Sequence, residues 1–173
     1  MTIAKRCHSI ELIVADVDGV LTDGSIVFNN EGIETKRFHI RDGMGIKLWQ
    51  WAGGKFGIVT GRNSHIVNVR AAELGIDLVR QGIENKLAAL REIATQFRLA
   101  LEQVCYIGDD LPDLAAVRAA GLGVAVADAC AEVREAAAYV TQVAGGQGAV
   151  RETVELVLKS QQRWDDVIQK YEA

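Results

Sequence analysis

The feature of this sequence that most restricts its fold is an apolar run that ends in two aspartates. Leu-Ile-Val-Ala at positions 12–15 is followed by Asp16, Val17, Asp18 and Gly19. A short apolar run bounded by turn-forming residues is typical of a strand buried on both faces of a parallel sheet. Side chains two apart along a strand point the same way, so Asp16 and Asp18 are expected to emerge together. They would do so at the carboxyl end of the strand, where open parallel sheets bind ligands.

The two aspartates also fit two other interpretations. Asp and Gly are common turn residues, so an ordinary turn explains the motif when it is considered alone. A calcium loop begins Asp-x-Asp as well, but it requires oxygen ligands at its fifth and twelfth positions and glycine at its sixth. Counted from Asp16, these positions hold Val20, Val27 and Leu21. The calcium loop is excluded, whereas the turn stays open.

The composition is that of an ordinary globular protein. The 173 residues are 49% hydrophobic and 24% charged, and this length suits a single domain over 1–173. No apolar run reaches the length of a membrane span, and Glu11 interrupts the first one, so neither a membrane partner nor a signal peptide is expected. The net charge of −4 argues against nucleic acid as a partner. Cys7, Cys105 and Cys130 lack zinc-site spacing and indicate a reducing, cytoplasmic location.

Strand-like apolar segments alternate with helical segments along the chain. This order predicts an α/β fold with a doubly wound parallel sheet, Rossmann-like and without a large cap domain. The expected strands cover about 12–15, 56–59, 77–79, 104–107, 122–126 and 139–141. The expected helices cover about 42–52, 64–74, 85–98, 112–120 and 129–137, and a last one begins near 150.

Two segments depart from the alternation of strands and helices. Residues 25–40 predict a β-hairpin, because β-branched and aromatic residues flank a turn sequence at 29–32. A two-stranded hairpin is marginal by itself, so it is expected to pack on the domain or on another subunit. Asp42 is the expected N-cap of the next helix. The glycine-rich sequence at 145 opens a C-terminal segment, 145–173.

Polar residues cluster where the predicted strands end. With Asp16 and Asp18, these residues are Thr60, Gly61, Lys86, Asp109, Asp110 and Asp113. Each one alone fits a helix cap, a turn or a solvated charge. Several carboxylates at one sheet edge, however, raise one another's pKa unless a cation holds them. Oxygen ligands without a His or Cys set favour Mg²⁺ over zinc, and a hydroxyl, a lysine and helix-start N–H groups suit a phosphate.

This constellation resembles the haloacid dehalogenase-like phosphatases. Asp16-Val-Asp-Gly-Val matches the first motif of that family, Thr60 the second, Lys86 the third and Gly108-Asp-Asp-Leu-Pro-Asp the fourth. Receiver domains also combine acids, a threonine and a lysine around magnesium, but their lysine comes last and Asp18 has no counterpart there. The resemblance implies that Asp16 attacks phosphorus to form an aspartyl-phosphate and that Asp18 is the general acid and base.

The same resemblance implies the ligands of the metal and of the phosphate. Asp16, the backbone carbonyl of Asp18 and Asp109 would hold Mg²⁺. Thr60 and Lys86 would bind the transferring phosphoryl group, whose spread charge requires fixed electrostatic partners.

Further site residues are expected around these. Gly61 would offer a backbone N–H at a helix start. Arg62 and Arg70 are eight apart on one predicted helix and could both face a sugar-acid carboxylate, although Arg70 also fits a solvated helix position. Asp110 would lie behind the ligands and orient the motif lysine or metal-bound waters, and Asp113 belongs to the same outer group.

Over nearly its whole length the chain also resembles the family of 3-deoxy-D-manno-octulosonate 8-phosphate phosphatases. The resemblance is carried by Phe-His-Ile-Arg-Asp-Gly-Met-Gly at 38–45 and Gly-Gly-Gln-Gly-Ala-Val-Arg-Glu at 145–152. It implies Mg²⁺-dependent hydrolysis of that sugar-acid phosphate, a step in lipopolysaccharide precursor synthesis. It also implies a homotetramer in which hairpins of neighbouring subunits help close each site and the glycine-rich tail folds over it.

Two alternatives to this function stay open. One is a phosphatase for a nine-carbon 2-keto-3-deoxy sugar acid phosphate. Relatives with that activity are expected to have an acidic residue at the position of Arg62, which favours the eight-carbon substrate for this chain. The other is a catalytically idle oligomerisation module, which the full set of motif residues disfavours. Lys36, Arg37 and Arg41 could add positive charge to the site of a neighbouring subunit, but a solvated face of the hairpin is favoured for them.

Overall fold

The computed structural model describes residues 2–172, which form a parallel sheet flanked by helices. The strands are β1 Leu12–Ala15, β2 Val27–Phe28, β3 Glu34–Thr35, β4 Lys55–Val59, β5 Leu78–Arg80, β6 Val104–Gly108, β7 Leu122–Ala125 and β8 Tyr139–Val140. The helices are α1 Ile3–His8, α2 Ile40–Trp51, α3 His65–Leu74, α4 Lys86–Gln96, α5 Leu114–Ala119, α6 Ala131–Ala136, α7 Ala149–Ser160 and α8 Trp164–Glu172. Short 3₁₀ turns cover Leu101–Gln103 and Leu111–Asp113.

The six-stranded sheet has the order β5-β4-β1-β6-β7-β8, and all its neighbouring strands are parallel. This arrangement confirms the predicted doubly wound α/β fold without a large cap domain. β1 lies at the centre between β4 and β6. Every residue of β1, β6 and β7 is buried, as the continuous apolar sequence of β1 requires. The loop after β1 therefore begins in the middle of the carboxyl edge.

Helices pack in two groups that support the sheet. One group joins α1, α2, α3, α7 and α8, and the other joins α4, α5 and α6. Local sequence determines several helix ends. α3 ends at Gly75, whose φ of +68° is a left-handed cap conformation that suits glycine. Asn85 caps α4, because its side chain accepts a hydrogen bond from Ala88 N at 3.0 Å, so Lys86 is the first residue of that helix.

The hairpin is present but shorter than predicted. β2 and β3 pair antiparallel through four residues, and Gly32 (φ +77°) completes the turn from Asn29. Asn29 Oδ1 accepts hydrogen bonds from the backbone N–H groups of Glu31 and Ile33, which closes the turn. Four apolar side chains of the hairpin are more than half exposed, namely Ile26, Val27, Phe28 and Ile33.

The structure corrects several predicted element boundaries. The C-terminal segment contains two helices, α7 and α8, rather than one, and helix α1 was not predicted. α4 ends at Gln96, because Arg98 takes a φ of +57° that no α-helix accommodates. Asp42 is not the N-cap of α2; His39 caps that helix, and Asp42 lies buried in its first turn. Among the described helices, none has the length and apolar character that crossing a membrane requires.

Candidate active site

The carboxyl edge of the sheet forms an open cavity that collects most of the predicted site residues. The cavity is lined by Asp16, Asp18, Gly24, Thr60, Gly61, Arg62, Lys86, Asp109, Asp110, Pro112 and Asp113. They come from the ends of β1, β4 and β6 and from the start of α4. Convergence of these segments is a direct result of parallel strands, whose carboxyl ends meet at one edge.

A buried lysine joins two carboxylates at the floor of the cavity. Lys86 Nζ donates hydrogen bonds to Asp16 Oδ2 and to Asp113 Oδ1, each at 2.6 Å, and the Lys86 side chain is only 3% exposed. Tyr106 OH donates to the same Asp113 oxygen at 2.7 Å. Burial alone would lower the pKa of Lys86, but the two carboxylates outweigh burial and raise it. Lys86 is therefore a fixed positive charge beside Asp16.

Asp109 completes this group, and it is the carboxylate that has least support from the protein. Its Oδ1 is buried without a hydrogen-bond partner among the described residues. A Cβ at Gly19 would lie 2.0 Å from Asp109 Oδ2, so only glycine leaves room for this carboxylate against the loop after β1. Gly19 also has a φ of +89°, which other residues rarely adopt. We call Asp16, Lys86, Asp109 and Asp113 the buried end of the site.

The buried end carries more negative than positive charge. Oxygens of Asp16, Asp109 and Asp113 lie within 4.8 Å of one another, and Lys86 forms ion pairs with Asp16 and Asp113 but not with Asp109. Burial, and then the neighbouring Asp113, raises the pKa of Asp16 to about 6. Burial, Asp113 and Asp16 raise the pKa of Asp109 to about 8. Such shifts mean that ionising both Asp16 and Asp109 is unfavourable without a further cation.

The donor atoms fit a magnesium ion held by Asp16 and Asp109. Both carboxylates of this pair line the cavity, and Asp109 Oδ1 has no hydrogen-bond partner within residues 2–172. Asp113 also belongs to the carboxylate cluster, but its oxygens are already used by Lys86, by Tyr106 and by the backbone N–H of Asp109 at 3.1 Å. Hard oxygen ligands that are few in number and open to solvent are those that Mg²⁺ prefers.

Asp18 lies in a different electrostatic environment, beside the hairpin. Lys36 Nζ, on the chain just after β3, donates a hydrogen bond to Asp18 Oδ1. Arg62 NH1 lies 3.7 Å from the same oxygen, and Arg62 NH2 lies 2.7 Å from Glu34 Oε1. Ser64 Oγ donates to the other oxygen of Glu34 at 3.0 Å. We call Asp18, Glu34, Lys36 and Arg62 the hairpin end of the site.

The hairpin of this chain therefore contacts the chain's own site. The Lys36 side chain is 1% exposed, so the prediction of a solvated position was wrong for this residue. The prediction describes Arg37 and Arg41 well, since both are exposed. Sequence reasoning missed Glu34, because only the docking of the hairpin brings it to Arg62.

Some predicted contacts are different in the structure. Arg62 precedes α3 rather than lying on it. Arg70 does lie on α3 but does not line the cavity; it pairs with Glu73 at 2.7 Å and stacks over the Phe38 ring. Lys86 is oriented by Asp113 and not by Asp110, whose side chain instead accepts from Leu111 N at 2.8 Å and caps the turn there.

Comparison with known proteins identifies the class. Residues 64–152 match the model of the haloacid dehalogenase-like hydrolase family. The chain is 43% identical over 164 residues to the 3-deoxy-D-manno-octulosonate 8-phosphate phosphatase of Escherichia coli strain K12, an alignment that covers 95% of this chain and 87% of that protein. The chain therefore belongs to the haloacid dehalogenase-like hydrolases.

Two solved structures are more specific neighbours. One is the 3-deoxy-D-manno-octulosonate 8-phosphate phosphatase of Moraxella catarrhalis in complex with magnesium, phosphate and the sugar acid KDO. Its TM-score is 0.96 at 44% identity, over 98% of this chain and 97% of that one. The other is the cobalt-bound deoxy-D-mannose-octulosonate 8-phosphate phosphatase of Haemophilus influenzae, with a TM-score of 0.88 at 40% identity over 91% and 92% of the two chains.

Proposed function

We propose that this protein is a Mg²⁺-dependent phosphatase that hydrolyses 3-deoxy-D-manno-octulosonate 8-phosphate to the free sugar acid and phosphate. The observation that carries the proposal is the buried end, where three carboxylates and one lysine require a cation and face an open cavity. Relatives of this activity match at 43% identity over 95% of the chain. The product is the sugar acid used in lipopolysaccharide precursor synthesis.

Asp16 is the nucleophile of this mechanism. One of its oxygens attacks phosphorus, the bond from phosphorus to the sugar oxygen breaks, and an aspartyl-phosphate forms. Lys86, hydrogen-bonded to Asp16 at 2.6 Å, keeps the carboxylate in place and offers positive charge to the phosphoryl oxygens. Thr60 and Gly61 line the same cavity and supply a hydroxyl and a backbone N–H to that group.

Asp18 is the acid and base of the two steps. In the first step it gives a proton to the departing sugar oxygen, and in the second it takes a proton from the water that attacks the aspartyl-phosphate. A proton carrier for both steps needs access to solvent and to the leaving group. Asp18 suits this role because its side chain is about one-fifth exposed at the rim, whereas Asp16 is buried.

Magnesium, when bound, supplies positive charge that balances the buried carboxylates and draws electron density from the phosphoryl oxygens. Asp16, Asp109 and the backbone carbonyl of Asp18 are the groups that would hold it. Asp113 would act behind them, because it fixes Lys86, Tyr106 and the backbone of Asp109 at the same time. Asp110 stabilises the turn that follows Asp109.

The hairpin end would receive the sugar acid. Arg62 offers a planar cation to a carboxylate, and its NH1 is buried without a hydrogen-bond partner among the described residues. A bound sugar acid would take the place that Glu34 holds at 2.7 Å from Arg62. Arg70, outside the cavity, would contribute little to this recognition.

A homotetramer in the cytoplasm, with 1–173 as one catalytic domain, completes the proposal. The exposed apolar side chains of the hairpin support assembly through it, because a monomer rarely leaves such a cluster in water. Three free cysteines support a reducing compartment. Light scattering should give a mass near four times the 18.8 kDa of one chain, and Phe28→Ser should lower that mass. A monomeric mass for the unaltered protein would contradict the assembly.

A hydrolysis panel tests the function. Phosphate release is measured with the eight-carbon sugar-acid phosphate, its nine-carbon counterpart and a neutral hexose phosphate, each with Mg²⁺ and with EDTA. We expect Mg²⁺-dependent release that is fastest with the eight-carbon compound. Preference for the nine-carbon compound would overturn the proposed substrate. Inactivity with all three compounds would favour the catalytically idle oligomerisation module.

A further inference from the structure

The glycine-rich segment packs behind the catalytic loop rather than over the cavity. We call residues 143–148 the strap and residues 19–22 the catalytic loop. Gly146 N donates a hydrogen bond to the carbonyl of Val20 at 2.9 Å. A Cβ at Gly145 would lie 1.7 Å from a backbone oxygen of the loop, so the two backbones touch directly. The strap does not line the acidic cavity.

Two carboxylates fix the ends of the strap. Asp128 Oδ1 accepts a hydrogen bond from Gly145 N at 2.9 Å. At the other end, Asp42 Oδ2 accepts from Gly148 N at 3.2 Å and Asp42 Oδ1 accepts from Arg151 N at 2.9 Å. Asp42 belongs to α2 and is 1% exposed, so it caps the start of α7 from a neighbouring helix. A carboxylate at a helix N-terminus is favourable, because it satisfies N–H groups that lack partners within the helix.

The position of the catalytic loop determines the geometry of the site. Its first residue, Gly19, follows Asp18 and lies against the Asp109 carboxylate, where a Cβ would be 2.0 Å from Oδ2. Within the loop, the N–H groups of Leu21 and Thr22 donate to the Val17 carbonyl at 2.9 Å and 3.0 Å, and Thr22 Oγ1 accepts from Gly19 N at 3.4 Å and from Gly24 N at 3.2 Å. These bonds all lie within residues 17–24, and the strap adds a contact to the loop from outside that segment, at the Val20 carbonyl.

We propose that Asp42 is a positioning residue for catalysis. It does not line the acidic cavity, but it holds the strap, the strap holds the catalytic loop, and the loop sets the positions of Asp18 and Asp109. The catalytic consequence rests on the proposed function, in which Asp18 is the acid and base. Small displacements of reacting groups reduce the rate strongly while binding is largely kept.

Asp42→Asn tests the chain of contacts with little change of shape. The variant places an amide donor against a backbone N–H, so we expect looser attachment of the strap. The expected result is a fall in kcat of about 10-fold with KM changed less than about 2-fold. In hydrogen exchange, the amides of the catalytic loop should exchange faster, whereas those of β1 should keep their protection. Glu155→Gln is the matched control, because it removes a carboxylate from α7 that forms ion pairs with Arg151 and Lys159, on the same helix.

Gly145→Ala provides a second route to the same loop, since its methyl group would push on the loop backbone from the strap. It should reproduce the local exchange change without touching Asp42. An Asp42→Asn protein that folds with unchanged kcat would overturn the proposal, and so would faster exchange spread evenly over the sheet. The exchange experiment requires no substrate. It therefore tests whether Asp42 holds the catalytic loop through the strap, even if the hydrolysis panel refutes the proposed function.

Discussion

The buried end and the hairpin end of the site lie side by side but differ in charge balance. At the buried end, Asp16 and Asp113 share Lys86 while Asp109 has no ion pair with it, and the pKa values of Asp16 and Asp109 are raised to about 6 and about 8. At the hairpin end, two carboxylates face two cations, Lys36 and Arg62. An unbalanced, buried cluster is ready for a metal ion and a phosphoryl group, whereas a balanced cluster must exchange an internal ion pair for a ligand. The buried end is therefore suited to the chemistry and the hairpin end to selection of the leaving group.

The largest effect is expected at the buried end. Asp16→Asn removes the nucleophile while keeping the shape of the side chain, and we expect kcat to fall at least about 1000-fold with the fold intact. Steady-state phosphate release and circular dichroism measure this. Asp166→Asn, on the exposed side of α8, is the control and should retain full activity. More than a few per cent of residual activity in Asp16→Asn would contradict the assignment of Asp16 as the nucleophile.

Asp18→Asn should have the next largest effect, and its size should depend on the leaving group. Loss of the general acid and base is expected to lower kcat about 100-fold with the sugar-acid phosphate. With an aryl phosphate, whose leaving group needs no proton, the first step should be nearly normal, so a burst of phenol release should precede slow turnover. An unchanged rate with the sugar phosphate would refute the role of Asp18.

At the hairpin end, effects on KM are expected to be larger than effects on kcat. Arg62→Met should raise KM for the sugar-acid phosphate about 10-fold, because a charge-assisted contact with the carboxylate is lost. Arg70→Met is a close comparison, since it removes an arginine that stacks on Phe38 outside the cavity, and it should change KM little. Equal effects of the two substitutions would remove the distinction between the two arginines.

The smallest effect is on stability and concerns the metal-free protein. Asp16 and Asp109 have folded-state pKa values above the ordinary value near 4, so the folded state holds protons that the unfolded state releases. This contribution to stability is present below pH 4 and is lost as the pH rises to about 8. In the presence of EDTA, this loss should lower the melting temperature by roughly a few degrees between pH 4 and about pH 8. Saturating Mg²⁺ should remove this decline of the melting temperature. A decline unaffected by Mg²⁺ would argue against a metal at these carboxylates.

Much of the buried end could be predicted because its residues follow strands directly. Asp16 and Asp109 come at the ends of continuous apolar runs, and Lys86 follows a recognisable cap at Asn85. The hairpin end could not be predicted, because Lys36 and Glu34 reach the site only through the docking of a short hairpin. Tyr106 has the sequence signal of a core strand residue, and only its hydroxyl, bonded to Asp113, links it to the site.

Asp42 shows a different limit of sequence reasoning. Its position after the hairpin predicts an N-cap, and it does bind the start of a helix, but that helix is α7, more than 100 residues away in the chain. Local patterns identify which side chain can cap a helix, whereas tertiary packing decides which helix it caps.

The most direct test of the division between the two ends is to locate the covalent phosphoryl group. The protein is quenched during turnover of the sugar-acid phosphate with Mg²⁺, treated with borohydride, which reduces an acyl phosphate to an alcohol, and analysed by peptide mass spectrometry. The account predicts reduction at Asp16 alone, and none in the absence of substrate. Reduction at Asp18, or no modified carboxylate despite rapid turnover, would contradict it.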